Sequence, residues 1–248
     1  MLSSSVRLEI KNLIKNKIDE KLNNYEQETS YSPFFEAIFD KEVIVKASIM
    51  QSLYTTFGMS IYEQIAVILA QNAGYTEAQR QYHLLGEIDD NTELLLRDLY
   101  INPLRNKDIE IEKIRKVIKK GRAIIDNDGV VDVYFKDKNN IEWYIDIKTV
   151  KPNLSEFRAL RKKLLRWVGL RLSQNPRAKI KTCIGIPYNP YYPEDYHRWT
   201  GKDCHVEEIL VQNDLWKTFA GEDVFQELLE ICKEVGAESQ KKIVRFVK

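Results

Sequence analysis

Cysteine, histidine and long apolar runs are all scarce in this chain. Its three cysteines (Cys183, Cys204, Cys232) are odd in number and scattered over a 248-residue chain. That excludes a disulfide framework and points to a reducing compartment, the cytoplasm. Cys204 and His205, taken with His197, lack the second closely spaced ligand pair of a structural zinc site. No stretch approaches the roughly 18 apolar residues of a membrane span, and no signal-peptide pattern opens the chain. A membrane partner is therefore not expected, and nothing calls for an organic cofactor. Ten glycines and seven prolines form no low-complexity linker and no repeat. What remains, 44% hydrophobic and 30% charged, is the composition of a soluble globular chain long enough for a sizeable core.

The formal net charge is only +1, yet residues 151–182 hold ten lysines and arginines against the single acid Glu156. Within this run Phe157, Leu160, Leu164 and Val168 recur at helical spacing, which predicts a helix over 155–173. Arg158, Lys162 and Arg166 occupy another face, with Arg161 and Lys163 between. A basic helix of this kind suits a phosphate backbone. The alternative is a solvated surface helix paired with acidic neighbours. Residues 191–240 carry twelve acids against four bases and are expected to face away from nucleic acid.

Just before the basic run stand Asp132-Val-Tyr-Phe, a polar turn at 136–140, and Ile141-Glu-Trp-Tyr-Ile-Asp146-Ile-Lys148. This reads as two strands joined by Asn/Asp turn chemistry. On a strand, Asp146 and Lys148 share one face while Ile145 and Ile147 take the other. Asp132 lies near enough in a hairpin to join them. Two carboxylates and an ammonium at a strand end suit a hard divalent cation held against a phosphodiester. An acid-x-Lys pair on a solvated strand is the plainer alternative, and Asp126 and Asp128 rival Asp132 as the first acid.

Two further segments carry candidates. Glu63 stands three residues after Ser60, the capping-box spacing, and is read either as that cap or as a further carboxylate brought to the acid pair. The loop 186–199 holds five aromatics and three prolines. Tyr188, Asn189 and Arg198 there suit base edges in a groove. Packing onto the core or a subunit interface is the competing reading.

Four segments in order, FGMSIYEQIAVILA (57–70), DVYF with WYIDIKTVKPN (132–153), IGIPYNPYYP (184–193) and VQNDLWKTFAG (211–221), resemble the type II restriction endonucleases of the PD-(D/E)xK superfamily. Within it the chain is similar to the TdeIII/MjaII kind, which cut DNA at GGNCC. The resemblance implies Asp132 as first acid, Asp146 as second and Lys148 as the motif lysine. It also implies Glu63 as the helical glutamate. Val131 stands where the motif expects proline, and Asp146 where glutamate is commoner. The resemblance further implies that Asp132, Asp146, the Ile147 carbonyl and Glu63 hold Mg²⁺, and that Lys148 contacts the attacking water. Lys151, Arg158, Arg161, Lys162 and Arg166 are expected to meet double-stranded DNA, and cleavage is expected to leave 5′-phosphates. Cutting both strands of a twofold site calls for a homodimer. A repair or junction-resolving nuclease and a non-cleaving DNA-binding module are the alternatives.

The expected fold is mixed α/β with an αβββαβ core. Strands are predicted at about 123–126, 130–136, 141–149 and 179–186. Helices are predicted at 6–24, 109–120, near 206–218 and at 222–235, and the pattern from 33 to about 122 reads as helical. The division expected is a helical N-terminal subdomain (1–105), carrying Glu63 with dimer and DNA contacts, and a nuclease core (106–248).

Overall fold

Alternation of large apolar residues on two adjoining strands sets the centre of the molecule. The structure, a computed structural model, describes residues 1–25, 32–148, 151–197 and 204–246. Strands β1 (Thr76–Leu85), β2 (Ile125–Lys136), β3 (Ile141–Ile147), β4 (Lys179–Ile186) and β5 (Ile209–Val211) lie side by side in that order. The β1–β2 and β2–β3 pairs are antiparallel, and β3–β4 and β4–β5 are parallel. The β2–β3 hairpin turns as its residues dictate. Asp137 Oδ1 accepts from the N–H groups of Asn139 (2.8 Å) and Ile141 (3.0 Å), and Asn140 takes the left-handed conformation at φ 57°.

Parallel β3 and β4 need a crossover, and helix α7 (Leu154–Gln174) supplies it. Its start is closed by a capping box. Asn153 Oδ1 accepts from the Glu156 N–H (3.0 Å), and Glu156 Oε2 accepts from the Asn153 N–H (2.6 Å). The apolar stripe of α7 buries Phe157, Leu160, Leu164 and Val168 in one core with Tyr134, Tyr144, Ile180 and Ile184. Helices α5 (Asp90–Ile101) and α6 (Lys107–Val117) pack beside it. Val133, Phe135, Ile145 and Ile147 enter a second core with α1 (Ser4–Asn23), α4 (Tyr62–Asn72), α8 (Asn213–Ala220) and α9 (Phe225–Phe246). The short α2 (Pro33–Glu36) and α3 (Lys41–Thr56) lead into α4 through a π-helical turn at Phe57–Ile61. Much of the acidic C-terminal charge is met within the chain, because Glu234 and Glu238 of α9 pair with Lys11 and Lys15 of α1.

The mixed α/β fold is as expected, and it is consistent with a restriction-endonuclease-like arrangement. Its αβββαβ order runs α4-β1-β2-β3-α7-β4, with α5 and α6 inserted between β1 and β2. Several assignments need correction. The stretch read as helical contains β1, whose sequence TEAQRQYHLL shows neither β-branched enrichment nor a clear apolar alternation. It is an edge strand, and two left-handed residues, Glu77 (φ 56°) and Gln81 (φ 48°), interrupt its regularity. The two strands read at 123–126 and 130–136 are one strand, β2. Gly129 lets the strand run on close to β1: a Cβ on it would stand 2.5 Å from the Leu84 carbonyl oxygen. The helix read near 206–218 is a 3₁₀ turn (Val206–Glu208), then β5, then α8. On α5, Leu96 and Leu99 are buried and Leu94 is exposed. Among the described residues no helix is long and apolar enough to cross a membrane.

Candidate active site

Val133 pairs with Ile145 across the β2–β3 ladder, and no β2–β3 partners lie beyond them. One step further out, Asp132 and Asp146 therefore face one another where the strands part. Like charges directly opposed across a ladder are unfavourable, so the sequence has placed a repulsive pair at the end of the sheet. Asp132 Oδ2 accepts from the Ile147 N–H at 2.8 Å. Asp146 is completely buried, and its Oδ2 accepts from Lys163 Nζ of α7 at 2.6 Å. Asp146 Oδ1 lies against the Lys148 ammonium but receives no hydrogen bond. Asp146 is thus turned towards α7, opposite Ile145 and Ile147, as strand alternation predicts. Burial, and then the neighbouring Asp146, push the Asp132 carboxyl up to about 6. Burial pulls Lys148 down, but the facing Asp146 and Asp132 outweigh it and leave the ammonium above its usual range.

These groups fit a hard cation. Each carboxylate commits one oxygen to an internal donor, and buried Asp146 Oδ1 has, among the described residues, the Lys148 ion pair against it. Two carboxylates with a backbone carbonyl, water and substrate phosphate are the customary partners of Mg²⁺. Asp132, Asp146 and the Ile147 carbonyl are the groups that would hold it. Among the described residues no cluster of three or more His, Cys, Asp or Glu side chains forms, so the arrangement stays a pair.

Glu63 does not join that pair. Nor does it cap a helix, because α3 runs through the π-turn into α4 and no chain end exists at Ser60. Instead Glu63, buried on α4, accepts from Arg80 Nε (3.0 Å) and from Gln81 Nε2 (3.1 and 3.2 Å) of β1. Arg80 and Tyr82 pair with Val133 and Val131, which sets the intervening Gln81 across from Asp132. Glu63→Gln is expected to lower stability by about 1–3 kcal/mol, because it weakens a buried acceptor of two side-chain donors. Thermal unfolding in EDTA is the check, and a melting temperature equal to wild type would show that these bonds do not anchor α4.

The rival acids lie elsewhere. Asp126 accepts from Arg166 Nε (2.9 Å) and Nη2 (2.6 Å), and Asp128 is exposed. Arg166 also meets Glu93 (2.9 Å), so this arginine ties β2 and α5 to α7. Arg161, expected at DNA, is corrected: it is 1% exposed and bound to Glu110 and Glu208. The α-helical turn carries it to the buried side of α7, and no phosphate reaches it there. Lys162 lies 4.6 Å from the Tyr100 ring centroid and Lys151 5.7 Å from that of Tyr191. Arg158 is on the exposed side of α7. In the loop, Tyr188 is at the surface. Asn189 is occupied locally, with Oδ1 accepting from the Tyr191 N–H (2.9 Å) and Nδ2 donating to the Glu194 carbonyl (2.6 Å). Arg198 lies outside the described residues. Lys163 is the site residue that sequence reading missed. Its signal was the Trp167 four residues on, which places the lysine at the border of the buried stripe.

A mixed sheet with facing acids at the end of a β-hairpin, and a lysine two residues past the second, is the architecture of a restriction-endonuclease-like chain. The family model described as type II restriction endonuclease, HinfI, matches residues 2–236, and the chain belongs to that family. It is 27% identical over 210 residues to the type II restriction enzyme MjaII of Methanocaldococcus jannaschii, covering 79% of this chain and 56% of that one. To the type II restriction enzyme HgiCII of Herpetosiphon aurantiacus it is 24% identical over 238 residues, covering 92% of this chain and 86% of that one. The chain thus spans little more than half the length of MjaII.

Proposed function

We propose that this chain is a Mg²⁺-dependent type II site-specific endonuclease. In this reading it hydrolyses both strands of DNA at a short GGNCC-like site, leaves 5′-phosphates, and acts in the cytoplasm as a homodimer. The observation that carries the reading is the Asp132–Asp146 pair beside Lys148 in a chain of this family. Asp132, Asp146 and the Ile147 carbonyl would hold Mg²⁺, which when bound would supply Lewis-acid chemistry to the phosphoryl group. Lys148, a third exposed at the end of β3, hydrogen-bonds the attacking water and offsets charge on a phosphate oxygen. Glu63 holds Arg80 and Gln81 of β1, the strand that pairs with the Asp132 segment of β2. The loop with Tyr188, Asn189 and Arg198 reads bases, Asn189 by holding the loop's shape. Digestion of a plasmid of known sequence with Mg²⁺ tests the whole: discrete fragments ending at GGNCC support it. Random nicking fits a repair nuclease, and intact plasmid fits a non-cleaving DNA-binding module.

Lys151, Arg158 and Lys162 are the phosphate contacts in this reading. Removing Arg158 or Lys162 is expected to weaken specific and non-specific duplexes alike. Each loss should flatten the log–log salt dependence by about one unit, one counterion per contact. Arg166→Gln is expected to leave the slope unchanged because Asp126 and Glu93 already hold it. Binding over a salt series in Ca²⁺ measures both, and a wild-type slope for Arg158→Gln and Lys162→Gln removes α7 from the DNA.

The dimer reading draws on α3, part of the N-terminal segment (1–105) assigned to dimer and DNA contacts. Val45 and Leu53 pack on the core, while Val43, Ala47, Met50 and Tyr54 form an exposed apolar seam. Their 4-3-4 spacing is that of paired helices, and the charges of α3 sum to near zero, so two copies do not repel. Met50→Glu is expected to convert a dimer to a monomer in light scattering. A wild-type mass for this variant places the interface elsewhere.

A further inference from the structure

The two lysines at Asp146 do not have the same task. Lys148 lies against Oδ1, the oxygen that lacks a hydrogen bond and that a cation would need. Lys163 is bound to Oδ2 at 2.6 Å. It projects from the middle of α7, where Leu160, Leu164 and Trp167 are buried, and its ammonium is 5.0 Å from the Trp167 ring centroid. The indole is itself anchored, donating to the Asp128 carbonyl at 2.7 Å. A lysine held by its helix, by an aromatic face and by a buried carboxylate has little freedom to swing away. Lys148 stands just past the strand end with its backbone N–H on the Gly185 carbonyl (2.9 Å), and among the described residues no aromatic face holds its ammonium. Across the gap, Asp132 shows the matching arrangement, with Oδ2 on the Ile147 N–H.

We infer that Lys163 is a positioning residue for the acid pair. It fixes one oxygen of Asp146 so that the other is presented towards Asp132, as the Ile147 amide does for Asp132. The inference rests on the metal-site reading above and assigns the two ammonium groups different fates. A cation arriving between the acids displaces Lys148 from Oδ1 and frees it for the phosphate, whereas Lys163 stays in place. With Lys163 removed, Asp146 Oδ2 is left in the interior with no donor, and the carboxylate is free to turn. Outer partners that orient a ligating carboxylate change metal affinity by about 10–100-fold when lost.

Calorimetric titration of the whole chain with Ca²⁺ in the absence of DNA reads this directly, with circular dichroism to confirm folding. Lys163→Met is expected to weaken Ca²⁺ binding by about 10–100-fold. Lys163→Arg, which keeps both charge and donors, is expected to recover most of the loss. Lys148→Met is expected to bind Ca²⁺ at least as tightly as wild type. If Lys163→Met does not fold, Lys163→Gln, which retains an N–H donor, takes its place and is expected to fall between. Unchanged Ca²⁺ affinity in a folded Lys163→Met chain would make the lysine an idle ion pair. Tighter binding would make it a competitor for the cation's place. Either result overturns the inference while leaving the metal site standing. A wild-type chain that takes up no Ca²⁺ overturns the metal-site reading, and this role with it.

Discussion

Asp146→Asn is expected to leave duplex binding intact and to slow Mg²⁺-dependent cleavage by about a thousandfold or more. A metal supplies several kcal/mol of transition-state charge stabilisation, and each ~1.4 kcal/mol is a factor of ten in rate. Losing a ligand of the pair forfeits most of that. The fold is not expected to suffer. Asparagine keeps the side chain's shape and can still accept from Lys163, and the change removes one of two facing buried charges. Lys148, a third exposed, can turn to water, while Lys163 keeps the asparagine oxygen and the Trp167 face. Melting in EDTA should therefore equal or exceed wild type, the behaviour of a site held at some cost in stability. Asp132→Asn is expected to be similarly inactive, with Asp126→Asn and Asp128→Asn much less affected. Single-turnover cleavage of a cognate duplex measures all four, and wild-type rates for Asp146→Asn would end the site assignment.

Arg161→Met is expected to cost about 3–5 kcal/mol of stability, the range for breaking a buried ion pair by removing one partner. The guanidinium bridges two acids that are completely buried. Nη1 donates to both oxygens of Glu208 (2.8 and 2.9 Å), and Nη2 to both of Glu110 (2.6 and 2.7 Å). Lys107 adds a second cation at Glu208, and His205 Nε2 lies 3.0 Å from Glu110. Methionine fills the space and leaves Glu110, among the described residues, with the His205 ring and the Leu104 N–H as its partners. The network also has a pH signature. Burial alone would raise the Glu208 carboxyl, but Lys107 and Arg161 overcome it and hold the group below the usual value of 4.5. A depressed folded pKa gives stability that is complete above 4.5 and lost as the pH falls through the folded value. Wild type should therefore lose this contribution only in acid, and the Arg161→Met chain, in which Lys107 still pairs with Glu208, should keep only part of it at neutral pH. Urea unfolding at pH 7 and pH 4 measures both. A variant as stable as wild type but with a flatter salt dependence for DNA would return Arg161 to the phosphate-binding face.

How far the sequence could be read depended on whether the signal was local. The β2–β3 hairpin, the crossover helix and the acid-and-lysine cluster were legible because Asp/Asn turn residues, strand alternation and the helical spacing of Phe157, Leu160, Leu164 and Val168 act within a few positions. Strand β1 was not legible. Its residues are mostly polar and partly exposed, and only pairing with β2, some fifty residues later, makes it a strand. Of the two readings of Glu63, the cap fails because the π-turn that continues α3 into α4 leaves no trace in the Ser60–Glu63 spacing.

The basic run shows the boundary most clearly. From its sequence, Arg158, Arg161, Lys162, Lys163 and Arg166 are alike: five cations on one predicted helix. Periodicity determined that they point in different directions. Only tertiary structure decided what each one meets, because the partners come from distant elements. Arg161 finds acids on α6 and beside β5, Lys163 finds Asp146 on β3, and Arg166 finds Asp126 and Glu93 on β2 and α5. A charge's role is set by the dielectric and the counter-charge around it. Those are properties of the packed chain and not of the residue.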